Sequence, residues 1–245
     1  MARYDKLAND KEFIESLKNS RFFSLLFDRP EVILVTLCGS RVTGVTDWHS
    51  DYDITVLTTS VDCEKSVYRL KYQNHDVHWY YQNINDFVYI DQNNIATMNF
   101  LCPFLLGLLS EDYVIYKNPK YEAVINYIFS IKQKLLEIGG VGFYNKCANI
   151  VNPIIRDGEI EEKRYTKFIG HLVLISDILN DREVDEELVL AGKRIKYKQI
   201  TNEQEQAIIE KFKSLKNYVE NNPINVEELQ KQIVRRINEI RGKNS

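Results

Sequence analysis

Hydrophobic and polar positions alternate in two different ways along this chain, and the change divides it. Near the front, Val32-Ile33-Leu34-Val35-Thr36-Leu37 is a continuous apolar run rich in β-branched residues, the pattern of a strand buried on both faces. Asp53–Thr58 predicts a second strand. Val67–Gln73 and Asp76–Tyr81 predict a third and a fourth, broken at Asn74-His75. In the fourth, Asp76, His78 and Tyr80 share one face, and Val77, Trp79 and Tyr81 share the other. Ahead of the strands, Asp10 is placed to cap a helix through Phe13, Ile14 and Leu17. Ser20 is placed to cap another through Phe22, Phe23, Leu25 and Leu26, before Pro30.

From Ile84 onward the periodicity is mainly helical, with a short extended piece at Val114-Ile115-Tyr116. Helices are predicted over Tyr121–Ile138, stopping at Gly139-Gly140, and over Phe143–Val151, ending near Pro153. Further helices are predicted over Ile160–Leu179, Asn202–Glu220 and Val226–Arg241. The expected fold class is α+β: a small mixed β-sheet domain over residues 1–116, then a helical domain over residues 117–245.

Composition narrows the class. Of the 245 residues, 44% are hydrophobic and 27% charged, which excludes a disordered or fibrous chain. No apolar run approaches the ~20 residues that span a bilayer, and the first residues lack the apolar stretch of a signal peptide, so a cytoplasmic protein is expected. The four cysteines, Cys38, Cys63, Cys102 and Cys147, have no zinc or redox spacing and are expected as reduced thiols. Residues 1–116 carry a net charge of −6 and the remainder +3, an asymmetry that decides nothing by itself.

The chemistry concentrates between Cys38 and Val56. A buried strand ends at Gly39-Ser40, where glycine lets backbone approach a ligand and the Ser40 hydroxyl adds a hydrogen bond. A helix starting just beyond would turn its free N–H groups to the same place, which favours phosphate. Asp51 and Asp53, two apart at the start of a strand, send both carboxylates to one side. Two such groups repel unless a cation lies between them. Hard oxygen ligands beside phosphate suit Mg²⁺ or Mn²⁺. Asp76 is a candidate third ligand, with Asp62 and Asp86 also near in sequence.

Gly39-Ser40, then Asp51-x-Asp53 on the next strand and Asp76 on a later one, resembles the polymerase-β-like nucleotidyltransferase superfamily. The longer form, Gly39-Ser40-Arg41 through Gly44 to Ser50-Asp51-Tyr52-Asp53, with Asp76-Val77-His78-Trp79-Tyr80, resembles a branch of predicted phage and bacterial nucleotidyltransferases that includes RNA-repair-associated members. The branch also bears a basic helix, and Lys163, Lys167 and His171, recurring every four residues on one helix face, are similar to it. Ala96–Leu101 stands where relatives often carry Pro-Asn and an acidic residue, and His49 is unusual. The resemblance implies a polymerase-β-like palm that transfers a nucleoside monophosphate from an NTP to an acceptor hydroxyl and releases pyrophosphate. It implies Asp51, Asp53 and Asp76 as catalytic metal ligands, and Gly39, Ser40, Arg41, Lys163, Lys167 and His171 as nucleotide-binding.

The acceptor is left open between RNA, a protein and a small molecule. Tyr68, Tyr72, Trp79, Tyr80 and Tyr81 are candidates for a base-stacking platform, and more simply for sheet core and surface. Trp48 is likewise either a base-stacking or a loop-packing residue. Lys193–Lys198 and Arg235-Arg236 are basic clusters that suit RNA or a solvated face. The alternative function is a non-catalytic nucleotide-binding or antitoxin-like partner of the same fold, against which the retained carboxylates argue.

Overall fold

The computed structural model describes residues 3–21, 23–24, 29–39, 41–42, 51–59, 67–85, 87–88, 111–158, 160, 169–180, 182–195 and 199–243. The chain divides into two compact units: residues 1–89, 103–132 and 232–245 form one, and residues 90–102 and 133–231 the other. The fold is α+β, a mixed five-stranded sheet with a predominance of helix.

The first unit holds the sheet. Strands β1 (Val32–Cys38), β2 (Tyr52–Thr58), β3 (Val67–Tyr72), β4 (His75–Asn83) and β5 (Val114–Lys117) lie in the order β3-β4-β2-β1-β5. β2 pairs antiparallel with β1 and parallel with β4, while β3–β4 and β1–β5 are antiparallel. All seven residues of β1 are buried, which is why its sequence shows no alternation. The β3–β4 turn falls on Gln73 and Asn74, both at positive φ (48° and 66°), one residue earlier than the sequence suggested. Two consecutive left-handed residues are the two-residue hairpin turn that matches strand twist.

Helix α1 (Arg3–Lys18) corrects the reading of Asp10 as a cap. Asp10 lies inside the helix and is buried, facing the sheet with Phe13, Ile14 and Leu17. Phe13 stacks on Tyr52 at 3.7 Å and meets Tyr72 and His75 edge-on. The Tyr72 hydroxyl donates to the Ser16 carbonyl at 2.9 Å. Tyr52, Tyr72 and His75 share one face of the sheet by register, so α1 packs on that face and leaves the other to the carboxylates. The Ser20 hydroxyl accepts from the Phe23 amide at 3.3 Å, as a cap does, and Phe22, Leu25 and Leu26 of the helix expected there lie outside the described residues. In the same unit, α2 (Glu122–Ser130) buries Val124, Ile125 and Ile128.

The second unit is helical. Helix α3 (Lys132–Asp157) runs through Gly139-Gly140 and past Pro153, both expected as stops, and ends at Gly158, φ +70°. Gly140 is a packing residue: a β-carbon there would lie 2.4 Å from Leu179 Cδ1 and 2.7 Å from Ile175 Cγ2 of α4 (Ile169–Leu179). Of the predicted helix 160–179, residues 161–168 lie outside the described residues. α4 is buried along most of its length, as its nearly continuous apolar sequence requires. Helix α5 (Glu186–Arg194), not foreseen from the sequence, is capped by Asp185, which accepts from the Leu188 amide at 2.9 Å. In α6 (Asn202–Asn221), Thr201 and Gln204 form a reciprocal capping box. A buried ion pair ties Lys211 of α6 to Asp177 of α4, and Asp177 also accepts from the Asp185 amide at 3.3 Å. The division between the units falls within the last helix, α7 (Val226–Lys243), whose Ile233 and Ile237 are buried. Among the described residues no helix is long and apolar enough to cross a membrane.

Gly140→Val should lower stability by ~1–3 kcal/mol through overpacking against Ile175 and Leu179, a fall of several degrees in Tm. Gly242→Ala in α7, where a β-carbon meets nothing within 4 Å, should be neutral or slightly stabilising. Thermal melts of the two variants beside wild type check both.

Candidate active site

The site is built where β1 ends and β2 begins. Cys38, the last residue of β1, pairs with Asp53. The chain then turns at Gly39 with φ +74°, a conformation L side chains rarely adopt. Sterics add a stronger demand. A β-carbon on residue 39 would lie 2.4 Å from Asp53 Oδ2 and 3.0 Å from Asp53 Cβ. The carboxylate occupies the volume a side chain would take.

Asp51 and Asp53 flank Tyr52, so strand alternation sends both to the face opposite α1. The parallel partner β4 places His78 beside Asp53 and Tyr80 beside Thr55. His78 Nδ1 lies 3.5 Å from Asp53 Oδ1 and 3.7 Å from Asp51 Oδ2, so the two carboxylates converge on one point. The Tyr80 hydroxyl donates to Asp53 Oδ1 at 3.2 Å. Asp51 is about half exposed (46%) and Asp53 is more enclosed (26%).

Burial pushes the Asp53 carboxyl above the usual aspartate range. The Tyr80 hydrogen bond and His78 oppose the rise, and the Asp51 charge adds to it. Burial, and then the Asp53 charge, push both the Tyr80 hydroxyl and the Cys38 thiol upward. Both therefore keep their protons at neutral pH: Tyr80 is a donor to Asp53, and Cys38 is a buried reduced thiol that accepts from Thr55 Oγ1 at 3.3 Å.

The structure thus brings together Gly39, Asp51 and Asp53 of the residues singled out in the sequence. Asp76 immediately precedes Val77, the partner of Tyr52, and is exposed, paired across the hairpin with Lys71. Among the described residues no three His, Cys, Asp or Glu side chains are grouped to hold a metal ion. Arg41 is buried and turned inward. Its Nη1 donates to Asp10 Oδ1 at 2.6 Å and its Nε to the Asp51 carbonyl at 3.3 Å. Ser40, Lys163 and Lys167 lie outside the described residues, as do Gly44, Trp48, His49, Asp62, Asp86 and Ala96–Leu101. His171 lies on α4, and its side chain is outside the described residues.

Two residues escaped sequence reasoning. Asp10 has the local pattern of a helix cap, and nothing nearby announces its partner 31 residues away. Tyr80 was legible as facing with His78, but its bond to Asp53 depends on the β2–β4 register. The five aromatics of β3 and β4 do not form one platform. Tyr68 stacks on Trp79 and meets Tyr81 edge-on, Tyr80 sits with the carboxylates, and Tyr72 faces α1.

Because the folded state holds the Asp53 proton more tightly than the unfolded chain, stability falls as pH rises from the ordinary aspartate range, about 3.9, through the raised folded value. Above that window the wild-type chain bears the cost of the buried charge. Asp53→Asn should therefore melt higher than wild type at neutral pH without divalent cations, and the gap should close toward pH 4. Gly39→Ala should destabilise by ~1–3 kcal/mol or more, and by measurably less when Asp53 is also changed to Ala. A double-mutant cycle by thermal or urea unfolding checks that coupling.

No protein-family model matches the chain, and no curated protein matches it. Among solved structures it is similar to a nucleotidyltransferase-like protein from Exiguobacterium sibiricum 255-15, at 13% identity and a TM-score of 0.31, over 81% of this chain and 72% of that one.

Proposed function

We propose that the chain is a metal-dependent nucleotidyltransferase that moves a nucleoside monophosphate from an NTP to an acceptor hydroxyl. The observation that carries the reading is the convergence of Asp51 Oδ2 and Asp53 Oδ1 on one point, 3.7 and 3.5 Å from the same His78 nitrogen, beside a glycine that no other residue can replace without displacing Asp53. Two carboxylates turned to one point repel unless positive charge lies between them. Mg²⁺ commonly takes one or two protein carboxylates and completes its shell with substrate phosphate and water. A two-carboxylate donor set with one half-exposed member fits that, and Mn²⁺ equally.

In this reading Asp51 and Asp53 hold the cation. Gly39 and Ser40 receive the β- and γ-phosphates, with backbone able to approach closely. Lys163, Lys167 and His171 are proposed as nucleotide-binding residues, on the resemblance alone. The bound cation would draw charge from the phosphate oxygens and the leaving group. The acceptor oxygen attacks the α-phosphorus, the α–β bridging P–O bond breaks, and pyrophosphate departs with its electron pair. Asp76, next to the Tyr52–Val77 pair, is proposed to take the proton of the acceptor hydroxyl. Tyr80, kept protonated, holds Asp53 Oδ1 in place by its hydrogen bond. Catalysis is then mainly alignment and charge stabilisation. RNA is one acceptor class among three.

The second reading, a nucleotide-binding partner without transfer, is favoured by the inward commitment of Arg41 to Asp10. It leaves unexplained why two mutually repelling carboxylates are kept half-buried.

The deciding experiment incubates the protein with α-labelled ATP, CTP, GTP or UTP, Mg²⁺ or Mn²⁺, total RNA and a cell lysate. Label should enter one acceptor class with wild type, and Asp53→Asn should lower transfer by about 10²–10³-fold or more. Transfer by Asp53→Asn at the wild-type rate sinks the assignment. NTP binding by calorimetry with no labelled product transfers the weight to the second reading.

A further inference from the structure

The face of the sheet behind the carboxylates carries a buried network that no catalytic step above uses. Asp10 Oδ1 accepts two hydrogen bonds, from Arg41 Nη1 at 2.6 Å and from the Tyr52 hydroxyl at 3.0 Å. The Arg41 guanidinium carbon lies 3.5 Å from the centroid of the Tyr52 ring. Phe13, one helical turn from Asp10, stacks on the same ring at 3.7 Å, 12° from parallel. Two groups that close cannot share a ring face, so Tyr52 is held between the guanidinium on one side and Phe13 on the other. Arg41 Nε reaches one residue further back and donates to the Asp51 carbonyl at 3.3 Å. Asp10 and Arg41 are both about 7% exposed at the side chain.

The Tyr52 side chain and the Asp51 carbonyl, both held by this network, belong to the short stretch that carries the two carboxylates. Tyr52 points to one face and Asp51 and Asp53 to the other. Whatever fixes Tyr52 and the Asp51 carbonyl fixes the backbone from which both carboxylates spring. Asp51 needs this most, since it precedes the first residue of β2 and stands outside the strand ladder. A buried ion pair adds little net stability, and its best-attested use is to select one geometry.

We propose that Asp10 and Arg41 are positioning residues that set the spacing of the Asp51 and Asp53 carboxylates from behind the sheet, so that helix α1 is part of the site without touching substrate. The proposal deepens the metal-dependent reading above, and rests on it for the consequence in metal affinity. Arg41 holds two acceptors and a ring at once, a task for a planar fork that a lysine ammonium does not perform.

The test compares Asp10→Asn, Arg41→Gln, Arg41→Lys and Tyr52→Phe with wild type by hydrogen–deuterium exchange, thermal unfolding and Mn²⁺ titration. Gly140→Val in the helical unit is the control for thermal destabilisation alone. Exchange should quicken at residues 51–54 in Asp10→Asn and Arg41→Gln while residues 56–58 and β1 keep their protection, and Arg41→Lys should not restore it. Mn²⁺ binding should weaken about tenfold or more in the same variants, the scale seen when outer partners of metal ligands are removed. Gly140→Val should change neither. Tyr52→Phe, which removes one hydroxyl and keeps the ring, should give a smaller change of the same kind and serves if the charge variants do not fold. Exchange at 51–54 that stays as in wild type, or rises no more than in Gly140→Val, overturns the proposal. Absence of Mn²⁺ binding by wild type would instead overturn the metal-dependent reading, and the exchange result would still decide the positioning role.

Discussion

The Asp53 carboxylate fills the space that a side chain on residue 39 would need, and much of the first unit is arranged around that close approach. It requires β1 and β2 to be paired in the register that sets Cys38 against Asp53. It requires a turn at Gly39 with positive φ. It also requires a way to tolerate a charge that is three-quarters enclosed beside a second charge. Tyr80 and His78 from β4 supply part of the compensation, and they arrive there only because β2 and β4 run parallel. Supports therefore come to the carboxylates from β1 and β4, while Asp10 of α1 and Arg41 hold Tyr52 and the Asp51 carbonyl from the other face. A sheet that is antiparallel at one edge of β2 and parallel at the other has a structural reason to be mixed.

Much of the front half was legible because its signals are local. An all-apolar β-branched run has few alternatives to a buried strand, and β1 is one. Alternation in 76–81 placed His78 and Tyr80 on one face, as the β4 pairing bears out. The carboxylate pair was legible because spacing of two in a strand fixes direction without knowledge of the neighbours. What the sequence could not supply were partners distant along the chain. Asp10 has a cap's composition and a helix interior's position, and only the arrival of Arg41 explains a buried acid there.

The helical half failed in an instructive direction. Gly139-Gly140 and Pro153 are punctuation in an isolated chain, yet α3 continues through both. At Gly140 the reason is contact: Leu179 and Ile175 press so close that only a bare α-carbon fits. Glycine's conformational cost in a helix is about 1 kcal/mol relative to alanine, less than what close packing of two apolar helices returns. A β-carbon on residue 192 would lie 2.9 Å from the backbone nitrogen of Gly170, in the same manner. In this unit glycine marks where helices touch, and α5 was missed although its Asp185 cap is local, because nine residues give a helical period little length to show. The Asp177–Lys211 pair then fixes one rotation of α6 against α4, which apolar contact alone leaves loosely determined.

The dependence between positions 39 and 53 also constrains how the sequence can change over time. A side chain at 39 is blocked while Asp53 stands, so the first step away from this site has to be taken at 53. Once the carboxylate is gone, the severest clash at 39, with Oδ2, goes with it, and a tight contact with the Cβ of residue 53 and the preference of a left-handed turn for glycine remain. The order of events is therefore directional. Among descendants of this chain, a glycine at 39 without an acid at 53 would mark a lineage in the middle of losing the site. An acid at 53 facing a bulky residue at 39 should be the rarest combination of all.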